Sequence, residues 1–139
     1  MKKIIHFISL LMIIISCSST KNLVNDKLFN TTWELSYISG PRIAFEGLFP
    51  NKKPQIKFDK ATGKAGGTDG CNGYLADYTI NGATIAFGDP GPTTMMYCGE
   101  GEKVFLTTMK KVNRFTIDSD DQLILMIDEI PMLRFKKTQ

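Results

Sequence analysis

Apolar and polar residues alternate in short runs along most of the chain after residue 30, and punctuation residues separate those runs. Thr31 to Ile38 places Trp33, Leu35 and Tyr37 at every second position, with Thr32, Glu34 and Ser36 between them. Period-two alternation is the signature of a half-buried strand. The pattern recurs at Pro54–Asp59, where Ile56 and Phe58 face inward, and at Lys64–Thr68 after a Lys60-Ala61-Thr62-Gly63 turn. Tyr74–Ile80 and Ala83–Phe87 flank Asn81-Gly82, a strong short hairpin signal. Arg114–Ser119 and Gln122–Asp128 form a second hairpin around Asp120-Asp121, and Met132–Lys136 is a last strand. Pro90 and Pro92 argue against regular pairing in the segment that carries them.

One stretch has a different period. From Glu100 to Val112, Val104, Phe105, Thr108, Met109 and Val112 fall at helical spacing. Glu100 and Glu102 occupy its first turn and Lys110 and Lys111 its last, the arrangement the helix dipole favours. Eight or so short strands and one late helix imply a mainly β (α+β) fold. The expected form is a strongly twisted antiparallel sheet or small barrel, with one helix near residues 100–112. Residues 42–53 are expected to be irregular. Phe45, Leu48 and Phe49 make this loop apolar, either as a cover for one end of the core or as the lip of a ligand site.

The N-terminus reads as an export signal. Lys2 and Lys3 precede an apolar run from Ile4 to Ile15, and Ser16 is a small residue before Cys17. The run is shorter than the roughly 20 apolar residues a spanning helix needs. Ile14-Ile15-Ser16-Cys17 resembles a bacterial lipobox, in which cleavage leaves Cys17 acylated at its sulfur and amine, a stable anchor. The expected organisation is a lipoprotein signal at 1–16, the lipidated Cys17 and a tether over 17–29, and one domain over 30–139. Partners follow from this: a membrane through Cys17 and an envelope protein. The expected location is the bacterial cell envelope. Ser18 rather than Asp after the cysteine favours the outer membrane.

Charge and cysteine count change under that reading. Loss of residues 1–16 removes Lys2 and Lys3 and leaves fifteen Lys and Arg against fourteen acids, so the formal charge falls from +3 to +1. No nucleic-acid partner is implied. The only histidine, His6, departs with the signal, which removes histidine-based triads and metal sites. Cys71 and Cys98 remain as an even pair in a disulfide-permissive compartment, where a bond between them is expected. Two free thiols or a soft-metal pair are the other readings. No cofactor and no metal are expected.

Gly67-x-x-Gly70-Cys71-Asn72, Tyr78, Asn81-Gly82, Phe87-Gly88, Thr94-x-Met96-x-Cys98 and Glu102-x-x-Phe105-x-x-x-Met109 together resemble the META domain of HslJ-type heat-inducible envelope proteins. The likeness extends from Trp33-x-Leu35 to Leu133, with Ala76 and Met109 departing from its usual glycine and leucine. It implies a small calycin-like β domain, exported and often lipidated, associated with envelope stress and antibiotic tolerance, and it carries no enzymatic activity. Gly67, Gly70, Cys71, Asn72, Thr94, Met96, Cys98, Glu102 and Phe105 correspond to motif positions rather than to an active site. The expected function is therefore that of a non-enzymatic binding or stress-response module. The alternative is a binder of small hydrophobic ligands at a barrel mouth lined by Phe45, Leu48 and Phe49. Other chemistry has weaker support. Asp69, Asp77 and Asp89 read as solvated loop aspartates, Asp118–Asp121 as a hairpin turn, Asn72 as a backbone-satisfying turn residue, and Met95, Met96, Met126 and Met132 as core filling.

Overall fold

The computed structural model describes residues 26–92, 94 and 96–138. The expected signal, the lipobox-like segment and Cys17 therefore lie outside the described residues, as do Thr93 and Met95. Nine strands form: β1 (Thr32–Ile38), β2 (Gln55–Asp59), β3 (Lys64–Thr68), β4 (Gly73–Asn81), β5 (Thr84–Phe87), β6 (Gly91–Pro92), β7 (Arg114–Ile117), β8 (Leu123–Ile127) and β9 (Ile130–Lys137). Besides a helical turn at residues 26–29, the described residues hold the single-turn α1 (Phe45–Leu48) and α2 (Glu100–Lys111).

Every pairing is antiparallel, and the order β3-β2-β1-β9-β8-β7-β5-β4 closes through a β3–β4 ladder. The sheet is thus an eight-stranded ring, and β6 adds to the rim of β4. That short pairing corrects the expectation for Pro92, which sits opposite Tyr74 at the rim of the sheet, while Pro90 stays outside any strand as expected.

The strands form where alternation places large apolar groups in the ring. Trp33, Leu35, Ile56, Phe58, Ile85, Leu123, Leu125, Leu133 and Phe135 are buried. The alternation of β1 breaks at one point. Leu35 opposes Phe135 and Tyr37 opposes Arg134, so Ser36 is an extra residue, a β-bulge. Beyond it the faces exchange: Ile38 turns in and Tyr37, expected inside with Trp33 and Leu35, is 47% exposed.

Both ends of the lumen are filled. Phe105 of α2 packs edge-on against Tyr74 of β4 (5.7 Å between centroids) and Phe135 of β9 (6.4 Å). Those strands lie on opposite sides of the ring, so α2 plugs the barrel rather than lying on its wall. Glu100 and Glu102 begin this helix, Lys110 and Lys111 end it, and Val112 leaves helical geometry. Toward the other end, Phe58 packs on Tyr78 (5.2 Å, edge-on) and Phe87, and Phe29 reaches Tyr78. Residues 26–29 are helical rather than a free polar tether. Leu28 is fully buried, and its carbonyl accepts a hydrogen bond from Trp33 Nε1 at 3.2 Å. The folded unit therefore takes in the last residues assigned to the tether.

Candidate functional site

The motif residues come together where β3 turns into β4. The turn is built by Asp69. Its Oδ1 accepts hydrogen bonds from the backbone N–H groups of Cys71 (2.9 Å) and Asn72 (2.6 Å), and its own N–H donates to the Asn72 carbonyl. Gly70 adopts a φ of +99°, which an L side chain rarely tolerates, and a Cβ there would lie 2.9 Å from the Lys52 carbonyl oxygen.

Asn72 is 1% exposed and uses its whole amide. Oδ1 accepts from Thr94 Oγ1 (2.9 Å) and from the Met96 N–H (2.7 Å). Nδ2 donates to the Met96 carbonyl (2.7 Å) and to Glu102 Oε2 (3.0 Å). The Gly73 N–H donates to Thr94 Oγ1 at 3.2 Å. A buried amide with every donor and acceptor satisfied fixes its surroundings, since losing any partner leaves a desolvated polar group. A disulfide joins Cys71 to Cys98, with 5.8 Å between the Cα atoms. The loop ahead of α2 is thus tied to the β3–β4 turn by a covalent bond and by the Asn72 amide.

The same end is closed by α1. Leu48 and Phe49 are 5% and 6% exposed and Phe45 is half-buried, its ring 5.3 Å from that of Phe49. A Cβ on Gly101 would come within 2.3 Å of the Leu48 carbonyl oxygen, so the first turn of α2 lies directly on this segment. Residues 42–53 are therefore not wholly irregular, and Leu48 and Phe49 cover the end of the core. They also wall a small cleft of about 210 Å³ shared with Asp69, Met96, Glu102 and the disulfide. Gly67 acts one strand away. It sits between Ile56 and Tyr74, and a Cβ there would lie 2.2 Å from the Gln55 carbonyl oxygen that accepts from Tyr74 Oη.

The three loop aspartates separate. Asp77 and Asp89 are exposed and paired with Lys64 and Lys110. Asp69, expected to be solvated, is 1% exposed. The Glu102 carboxyl is held above its ordinary range, first by desolvation and then by the charge of Asp69, with the Asn72 hydrogen bond opposing the shift. Burial pushes the Tyr74 phenol up as well, with the Asp69 charge adding to it. Sequence reasoning picked out Glu102 as a motif position but missed the carboxylate facing the same cleft. The available signal was the Asp69-Gly70-x-Asn72 spacing, which suits an aspartate capping its own turn. Of the methionines, Met109 is fully buried and Met132 packs against the core, whereas Met96 is 64% exposed. Among the described residues no group of three or more acidic, cysteine or histidine side chains is placed to hold a metal ion.

Residues 26–139 match the META domain. The chain belongs to the META domain family. The match begins at Asp26, in agreement with the buried Leu28 rather than with a boundary at residue 30. A solved structure, the NMR structure of a protein from Burkholderia xenovorans, is similar at a TM-score of 0.63 and 21% identity. It covers 90% of this chain and 93% of that one, a likeness of fold. The comparison with curated proteins gives no match.

Proposed function

We propose that this META domain is a lipid-anchored protein of the bacterial envelope that acts by binding a partner, in support of envelope integrity under stress, and not by catalysis. The observation that carries the binding role is the loop before α2. Met96 and Tyr97 are 64% and 85% exposed on backbone held by the Asn72 amide and the Cys71–Cys98 bond. Large apolar side chains on an immobilised loop contribute contact area at small ordering cost, which is what a recognition tip needs. The anchor rests on Ile14-Ile15-Ser16-Cys17, whose cysteine precedes Asp26, where the described residues begin, by nine positions. A disulfide in the folded domain is consistent with an exported chain.

A small hydrophobic ligand entering a barrel mouth at Phe45, Leu48 and Phe49 has less support, because Leu48 and Phe49 are buried against α2. Two measurements test the proposal. Cys17→Ala should abolish acyl labelling and recovery in the membrane fraction. Photo-crosslinking from position 97 in the native envelope should capture a discrete partner that a probe at Lys111, on the last turn of α2, does not. Labelling that persists in Cys17→Ala refutes the anchor, and equal capture from both positions refutes the tip.

A further inference from the structure

A groove of about 930 Å³ is bounded by the β2–β3 hairpin, by Leu75 of β4 and by the N-terminal residues Asp26, Phe29 and Asn30. One glycine shapes it. Lys57 opposes Gly66 and Gly66 opposes Leu75, so the three form a row across adjacent strands, about 10 Å from end to end at the usual strand spacing. Gly66 leaves the middle of that row without a side chain. A Cβ there would meet the Tyr74 carbonyl oxygen at 2.8 Å and Leu75 Cδ1 at 2.9 Å. Leu75 thus leans over the gap while remaining 48% exposed, and the half-buried Phe29 adds a second apolar surface.

The charges on the groove are unequal in their commitments. The four ion pairs among the described residues take up Lys27, Lys64, Lys110 and Arg114, and neither Lys57 nor Lys60. Lys60 Nζ stands over the Phe29 ring at 5.3 Å. Of the acids, Asp59 turns Oδ1 to the N–H groups of Ala61 (2.9 Å) and Thr62 (3.2 Å), and Asp26 is exposed where the chain enters. A hydrocarbon surface beside two ammonium groups without a carboxylate partner complements a molecule with an apolar chain and an anionic head.

The wall favours a lipid over a peptide. β3 is paired along its whole length with β2 on one side and β4 on the other, so its backbone N–H and C=O groups are taken up in ladders. An extended peptide in the groove would bury its own backbone groups without partners, whereas an acyl chain has none to satisfy. Chain length points the same way. Cys17 precedes Asp26 by nine positions, a reach of about 30 Å when fully extended, and the groove begins where that stretch ends. We propose that this groove binds an anionic phospholipid of the membrane that carries the anchor, its acyl chain against Phe29 and Leu75 and its phosphate at Lys57 and Lys60. The membrane as source rests on reading Cys17 as the anchor.

The test is NMR titration of the full chain in dodecyl maltoside micelles with lysophosphatidylglycerol, followed at the Lys57, Gly66 and Leu75 amides. Saturable shifts are expected. Binding should be about thirtyfold weaker in Lys57→Ala/Lys60→Ala, since each surface lysine contributes about a factor of five against an anionic lipid. Leu75→Ala, at a half-exposed position, should weaken binding with the fold intact, and Lys103→Ala/Lys111→Ala on the exposed side of α2 should leave it unchanged. Equal shifts with lysophosphatidylcholine would overturn the assignment, because the anionic head would then play no part. Equal weakening by the α2 pair would overturn it as general attraction to a charged micelle. Saturable binding of an acidic leucine peptide at these amides, with none of the lipid, would overturn it in favour of a protein partner. The titration does not need acylation, so its failure strikes the groove, whereas acyl labelling that persists in Cys17→Ala strikes only the anchor.

Discussion

Two turns of this protein share one local design and differ in setting. At the β3–β4 turn, Asp69 Oδ1 accepts the N–H groups of Cys71 and Asn72; at the β7–β8 turn, Asp118 Oδ1 accepts those of Asp120 (3.0 Å) and Gln122 (2.9 Å). The Asp118 turn stands in water. Its neighbour Asp121 pairs with Lys27 through side chains that are both more than half exposed. The Asp69 turn is covered by α1, α2 and the disulfide-bonded loop. An aspartate accepting two N–H groups of its own turn is a modest local device in one place and the base of a cross-braced site in the other. Burial makes the difference, because a hydrogen bond lost where water cannot enter leaves its partner unsatisfied.

The comparison breaks most readily at the glycines. Gly101→Ala should cost about 3 kcal/mol or more, since its Cβ would meet the Leu48 backbone at 2.3 Å and backbone yields poorly. Gly63→Ala, on an open turn with φ +65° and no atom within 4 Å of the added carbon, should cost only about 1–2 kcal/mol. Urea denaturation of both variants checks the ratio, and equal costs would remove the contrast. Asn72→Ala should cost about 2–3 kcal/mol, because it removes a buried amide that partners Thr94 Oγ1, the Met96 N–H and carbonyl, and Glu102. Asp118→Ala should cost about 1 kcal/mol or less. Reduction of the Cys71–Cys98 bond, which closes a loop with a sequence separation of 27, should lower stability by roughly 3 kcal/mol. The Met96 amide should nonetheless stay protected from hydrogen exchange while Asn72 is present.

The smallest effects are in acid, and they carry opposite signs. Glu102 has its folded pKa raised, so it favours the fold below its unfolded pKa and loses that contribution as pH rises through the folded value. Glu102→Gln should therefore steepen the rise of stability with pH across that window. Asp121 has its folded pKa lowered by the Lys27 hydrogen bond and charge. Its contribution is present above the unfolded pKa and lost as pH falls through the folded one. Asp121→Asn should act in that lower window, and added salt should erase its effect because the pair is exposed. A common sign for the two variants would count against the assignment.

These residues also show why part of the architecture was legible beforehand. Trp33, Leu35, Ile56, Phe58, Leu133 and Phe135 announced themselves because burial on one face forces alternation, and the alternation is local. The ring closure was not local: β3 and β4 are sequential, but β1 and β9 meet across the whole chain. The Ser36 bulge gave no signal, since an extra residue in an alternating run is visible only against the partner strand. Leu28 was missed because the segment around it is polar and a single buried leucine has no period. At the site, Asn72, Thr94, Met96 and Glu102 were legible as spaced motif positions. Asp69 was not, because the segments that close around it, α1 and the first turn of α2, come from other parts of the chain.

The pairing of β1 with β9 sets an order of events during synthesis. Trp33 opposes Lys137, and the Thr138 N–H donates to the Thr32 carbonyl. A ribosome releases β1 long before its neighbour β9, so the lumen cannot seal until β9 has emerged. Long-range closure of this kind is slow relative to local hairpin formation. The polypeptide consequently stays threadable until β9 arrives, and a permuted chain that links the end of β9 to the start of β1 and opens at an exposed hairpin should keep the ring.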